Sequence, residues 1–310
     1  MSDSEKEIGM KRISFALVLL LVTSLFVSIA LAEEESEKAV KFKLGVKGLY
    51  GNWDFNNSDV WAKGINGTYK MSSDVGPFGP FAEVSLAKDH IGLSAHYLLA
   101  RFRGDYHLSN KRYADDWYET TESGTMKADR QDIQVVLRMT PYWKYCSLLF
   151  GYQWLKHRDF ERNGHGTWTE YSGEFGVPVG VHKYDITTEE NNSIHGFLYG
   201  IGLQSPSYSG FYAWGNGMLM PNMNIKISSD WQMHYQTPGV EDDDDSYNTS
   251  GRLKSFKTEL GLAYDCTSVP LEFKLGWWFY RSRPDEEKAK LAPVFNEKLS
   301  GVQFSLGYMF

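Results

Sequence analysis

His107 and Ser109 stand two apart in the string His107-Leu108-Ser109-Asn110. Residues i and i+2 of an extended strand share a face, so a serine nucleophile and a histidine base could sit side by side there. Asp105, Asp115 and Asp116 are near enough in the chain to orient the imidazole, but nothing in the spacing selects one. The plainer reading is a polar rim on a long hairpin. A second group is the unbroken acidic run Glu241 to Asp245. Within it Asp242, Asp243, Asp244 and Asp245 offer carboxylate oxygens of the kind Ca²⁺ takes, without the alternating ligands and glycine of an EF-hand. Such a run is more often a solvated face. His157, His165, His182 and His195 follow one another with no metal-ligand spacing. Gly-rich phosphate loops and Cys-x-x-Cys pairs are missing from the sequence, and no cofactor is expected. The 2 cysteines, Cys146 and Cys266, could pair only if folding brought their Cα atoms within about 7 Å; otherwise they are small apolar residues.

The elements that must position these groups are strands. Ser300 to Phe310 reads S-G-V-Q-F-S-L-G-Y-M-F, with Val302, Phe304, Leu306, Tyr308 and Phe310 on one face and Gln303, Ser305, Gly307 and Met309 on the other. Comparable alternation predicts nine more strands, near 40–50, 80–87, 91–103, 130–140, 145–155, 194–204, 208–220, 253–264 and 269–281. The faces of the 208–220 strand are ambiguous. Each is close to the nine to eleven residues, roughly, that a tilted spanning strand needs. Short gaps with turn residues, such as Lys88-Asp89-His90 and Ser205-Pro206-Ser207, alternate with long polar gaps at 51–79, 104–129, 156–193, 221–252 and 282–299. The latter are expected to be loops. Aromatic residues concentrate at strand ends: Tyr142, Trp143, Tyr145, Tyr264, Tyr308 and Phe310 at one end, and Tyr50, Trp53, Tyr152, Trp154, Trp277 and Phe279 at the other.

The faces opposite the apolar ones carry charge of both signs: Lys41, Lys43, Lys47, Glu83, Asp132, Arg138, Glu259, Glu272 and Lys274, with Ser94, His96, Gln134 and Lys257 among them. Inside a narrow cylinder these groups are expected to pair with one another, because an isolated charge there is costly, and to fill much of the lumen.

The front of the chain bounds the compartment. Lys11 and Arg12 precede the apolar run Ile13 to Leu31, and Ala30-Leu31-Ala32 follows. This predicts a secretory signal peptide over 1–32, a flexible lead-in over 33–39 and a barrel over 40–310. Met10 is an alternative start. After Ala32 no apolar run approaches the roughly 20 residues of a spanning helix. Mean hydropathy is −0.41, low for a helical membrane protein and compatible with strands that show lipid only every second residue. The net charge of −7 argues against a nucleic-acid partner.

With its terminal Phe310 and alternating aromatic last strand, the sequence resembles bacterial outer-membrane β-barrel proteins. The resemblance implies an all-β, transmembrane, up-and-down antiparallel barrel of about ten strands in the outer membrane, with short periplasmic turns and long extracellular loops. It also implies that Tyr308 and Phe310 form a signal for the barrel assembly machinery. Outer-membrane lipids and lipopolysaccharide would be its surroundings, and an unidentified extracellular ligand its partner. The expected role is non-catalytic: loops presented for surface binding or an envelope role, or a narrow, largely plugged channel. The alternative is a lipid hydrolase. His107-x-Ser109-Asn110 is similar to the His-x-Ser-Asn element of outer-membrane phospholipases and lipid A deacylases. Omptin-type surface proteases are also ten-stranded barrels, with a site resembling paired acidic residues facing an Asp-x-His. Asp115-Asp116 is present and Asp105-Tyr106-His107 has the Asp-x-His spacing, while His182 and Asp185 are spaced wrongly for it.

Overall fold

The computed structural model describes residues 40–58, 65–86, 90–113, 117–141, 145–171, 178–266, 268–285 and 294–310. The leader (1–32) and lead-in (33–39) lie outside them. So do Tyr142, Trp143, Asp115 and Asp116.

Every regular element among the described residues is a strand: β1 (Val40–Ser58), β2 (Ile65–Val75), β3 (Phe78–Leu86), β4 (Ile91–Tyr113), β5 (Trp117–Met139), β6 (Cys146–Tyr171), β7 (Pro178–Gln204), β8 (Phe211–Tyr235), β9 (Asp243–Asp265), β10 (Leu271–Pro284) and β11 (Val294–Met309). All pairings are antiparallel, each strand beside its neighbour in sequence, and β11 pairs with β1. The sheet thus closes into a ring without an open edge. β2 and β3 share one position between β1 and β4. β3 pairs with Val40–Gly48 of β1, and β2 with Gly51–Phe55. The break falls at Gly76-Pro77, where proline has no N–H to give the ladder. The Pro77 carbonyl still accepts from the Leu49 N–H at 2.8 Å.

The short connections fall near where the sequence placed them, but that between β7 and β8 lies beyond Ser205-Pro206-Ser207, inside the predicted 208–220 strand. It tightens at Ser209 and Gly210, with φ of 50° and 87°. Two positive φ values match the twist of a two-residue hairpin. The long gaps are different. Most of what reads as loop between the predicted strands is strand. β4 to β9 each run 23 to 27 residues, about twice what a bilayer requires, and β2 was not expected at all.

The ring has two halves of opposite polarity. In the lower half, next to the short turns, apolar side chains point outward: Leu44, Phe150, Phe197, Leu262, Leu275 and Phe304 are all exposed. Charged side chains point inward. In the upper half the order reverses. Outward positions carry Thr125, Lys127, Asn163, Thr187, Glu189 and Lys226, and the interior holds Phe102, Met126, Ile186, Ile225, Ile227 and Leu253, all buried. Among the described residues, Val181 is a large apolar side chain exposed in that half.

Bulges sit at the junction in two strands. In β6 the residues between His157 and Glu161 outnumber those opposite them on both neighbours. In β8 the extra residue lies at Pro221-Asn222, and both neighbours record it. One extra residue exchanges inside and outside for everything beyond it. Hence inward positions on β8 are even-numbered up to Met220 and odd-numbered from Met223. Proline in a strand is confined to places where no ladder hydrogen bond is needed, and a bulge supplies one.

One expectation about the aromatic girdle is corrected. Trp53 does not belong to an outward aromatic girdle. It is wholly buried, its ring centroid 4.2 Å from that of Phe102, because β1 points it into the ring at the apolar level. Cys146 and Cys266 are both free thiols.

Candidate functional site

The lower lumen gathers the charged positions into two groups. Lys43 lies opposite Glu83 in register and its Nζ is 3.1 Å from that carboxylate. The same ammonium reaches 2.6 Å from Glu272 on β10. Gly307 stands between them: a Cβ there would lie 2.8 Å from the Lys43 Cδ. Lys274 also holds Glu272, at 2.8 Å, and Arg138 is 3.9 Å from Glu83. Higher up, Glu259 accepts from Lys47 at 2.7 Å and lies 3.3 Å from Lys257. Lys257 also donates to the Gln134 side-chain oxygen at 3.0 Å. Asp132 accepts from Gln153 at 3.0 Å. Lys41 is at the rim and exposed. Taking charges out of water is expensive, and the cost is offset only when each partner stays in place; the network meets that condition.

The level above is a plug. Leu98, Leu155, Ile194, Met220, Leu253 and Leu299 come from six different strands, and none exceeds 1% exposure. A water column through the ring would leave accessible surface on its lining. Within this level sits a buried charge that the sequence did not single out. Glu297 of β11 is paired with Arg130 and accepts from the Trp53 indole N–H at 2.9 Å. His157 lies 3.3 Å away, and the Arg130 guanidinium stands 5.4 Å from the Tyr280 ring centroid. Glu297 falls in a segment that reads as a loop, so only its register against β1 and β10 could have shown it.

On the outside of the upper half, cross-strand register aligns His107, Ser123, His165, Asp185 and His234 on five consecutive strands. His165 is hydrogen-bonded to Asp185, whose other oxygen accepts from Gln236 at 3.0 Å. His234 contacts Asp242 at 2.6 Å, and Asp242 also accepts from the Tyr235 N–H at 3.0 Å. The hydrogen bond to Asp242 raises the His234 pKa above its ordinary value; the same contact first, then the Tyr235 N–H, lowers that of Asp242. Asp185 is likewise lowered, by Gln236 and then His165. On the inner side, Gly164 and Gly166 flank His165 and leave room for two tyrosines: a Cβ at either would lie 2.0 Å from the Tyr106 hydroxyl or 2.2 Å from Tyr184. Both tyrosines donate to Glu122, at 2.6 and 3.3 Å.

Of the sequence candidates for chemistry, His107 lies on this outward row, while the Ser109 side chain lies outside the described residues. Asp243, Asp244 and Asp245 form the start of β9, where alternation divides them between faces. Among the described residues no three His, Cys, Asp or Glu groups are arranged to hold a metal ion.

Comparison with solved structures gives the fold a class. The outer membrane protease OmpT from Escherichia coli aligns with 90% of this chain and 99% of its own, at a TM-score of 0.59 and 11% identity. The fold resembles that of bacterial outer-membrane β-barrel proteins. At that identity the likeness is to OmpT's fold and does not extend to its site. The Pseudomonas putida toluene transporter TodX (TM-score 0.24, 9% identity, 88% of this chain and 90% of that one) and a Pseudomonas aeruginosa FadL homologue (0.28, 8%, 88% and 90%) align far more loosely. No protein-family model and no curated protein matches the chain.

Proposed function

We propose that the protein is a ten-stranded outer-membrane barrel without catalytic activity. Its lumen is closed to solutes, and its upper wall is the working surface outside the cell. In this reading the lower outward face meets hydrocarbon, the short turns face the periplasm, and Tyr308 and Phe310 serve the assembly machinery. The upper wall stands among lipopolysaccharide sugars and meets an extracellular ligand. The observation that carries the reading is the dry level at Leu98, Leu155, Ile194, Met220, Leu253 and Leu299. Eight strands already make an interior that side chains just fill, and ten are only slightly wider. Purified protein in planar bilayers should therefore show little conductance. Large, steady single-channel currents would refute the closed lumen.

A second reading, a hydrolase of acyl esters, is favoured by one feature: the bonded His165–Asp185 pair with Ser123 opposite His165 on the neighbouring strand. It moves the candidate nucleophile from Ser109 to Ser123. Fatty acid released from phospholipid or lipid A by the native protein and abolished in Ser123→Ala would support it. Equal release by both proteins, or none by either, would retire it.

A further inference from the structure

Below the dry level the lumen encloses a cavity of about 710 Å³ that reaches the short-turn rim, within the roughly 300–1,000 Å³ of sites that enclose small molecules. Most of its charged wall is satisfied internally: Lys43 and Lys274 by Glu83 and Glu272, with Arg138 3.9 Å from Glu83, and Lys47 by Glu259. The groups left over are mostly neutral. Gln303, only 2% exposed, has neither its amide nitrogen nor its oxygen hydrogen-bonded. The Trp214 indole N–H has no acceptor. The His96 Nε2 has no hydrogen-bond partner, its distance to Asp132 being 4.0 Å. One oxygen of Asp265, near the rim, is also unpartnered. All four residues line the cavity. Buried polar groups are almost always hydrogen-bonded, and leaving one unmade costs about 1–3 kcal/mol. None of these atoms has accessible surface of its own as placed, so an occupant reaches them when their side chains turn toward the space; four such groups around one cavity are the reason to expect an occupant.

We propose that this cavity binds a small neutral polyhydroxylated solute, of the size of one or two sugar rings. An ionic solute would have to displace a member of an existing ion pair and leave a buried charge alone. A neutral solute need not. Hydroxyl groups both donate and accept, so one molecule can serve the Gln303 amide, accept from Trp214 and donate to Asp265. Trp214 and Tyr212 are both on the lining, and rings of this kind suit the C–H side of a sugar ring, though the Lys274 ammonium stands over the Trp214 ring at 5.8 Å. The mouth faces the periplasm only on the orientation proposed above; the binding itself does not depend on it.

The test is calorimetric titration of the whole barrel in detergent with maltose and N,N′-diacetylchitobiose, and with glucosamine and glucuronate as cationic and anionic controls. Saturable binding of a neutral probe, with neither ion binding comparably, is expected. Gln303→Leu should weaken it at least tenfold. Trp214→Phe, which keeps a ring and removes the N–H, should weaken it severalfold. Unchanged heat-dependent gel migration shows that each variant is folded. No heat from any probe would mean that the cavity holds water alone, and equal binding of either ion would overturn the neutral class. Neither result would touch the closed-barrel reading, which the conductance measurement decides.

Discussion

The lower and upper halves of this barrel are made from the same strands, yet they solve opposite problems. Below the junction the outward face is Leu, Phe, Tyr and Trp, and the inside must reconcile charges such as Lys43, Glu83 and Glu272 with one another. Above it, the outside carries Thr, Asn, His and Glu, and the inside is an apolar core around Trp53, Phe102 and Ile225. The upper half is organised like a soluble barrel standing on a membrane one. The difference teaches that alternation alone does not tell which face is buried; the solvent on the outer side does.

The sharpest way to break the comparison is at a bulge. Inserting one alanine between Asn224 and Ile225, just beyond the bulge of β8, should turn Ile225 and Ile227 outward while Lys226 turns in. Loss of the folded, heat-resistant form on gels is expected; normal folding would show that the junction is not what sets the two polarities. Next comes a matched pair of outward substitutions. Leu275→Arg should cost about 2–4 kcal/mol of unfolding free energy if that face lies deep in hydrocarbon. Thr187→Arg, outward in the upper half, should stay within about 0.5 kcal/mol. Denaturant unfolding in lipid vesicles reads both, and equal costs would erase the distinction. The smallest effect is a titration. The hydrogen bond to Asp242 raises the His234 pKa, so any stabilisation it gives is complete below the ordinary histidine pKa and is lost as pH rises through the raised folded value. Its imidazole resonance should titrate above that of a free histidine and move back in Asp242→Asn. No difference between the two proteins would remove the pair from the account.

The sequence was most legible in the lower half. Predicted strands at 130–140, 194–204 and 253–264 fall within β5, β7 and β9 with their outward faces correct. It stopped being legible at the junction, for two physical reasons. The predicted strands 145–155 and 208–220 end where the bulges of β6 and β8 break the period of two. Beyond them the alternation continues with polarity reversed, and runs such as Thr187 to Ser193 look like loop because their outward residues are hydrophilic. The sites were less legible than the fold. Gln303 was assigned to the inner face of the last strand, but its unpartnered amide depends on distances across the ring. The row from His107 to His234 depends on register through a bulge. Neither is written in local spacing.

The central claim is that one outward surface contacts hydrocarbon below the junction and water above it. Spin labels placed singly at Leu275 and Thr187, with Cys146 and Cys266 replaced by serine, report this directly through relaxation by oxygen and by a water-soluble nickel chelate in lipid vesicles. The account predicts oxygen-dominated relaxation at 275 and nickel-dominated relaxation at 187. Matching nickel accessibility at the two sites would contradict it.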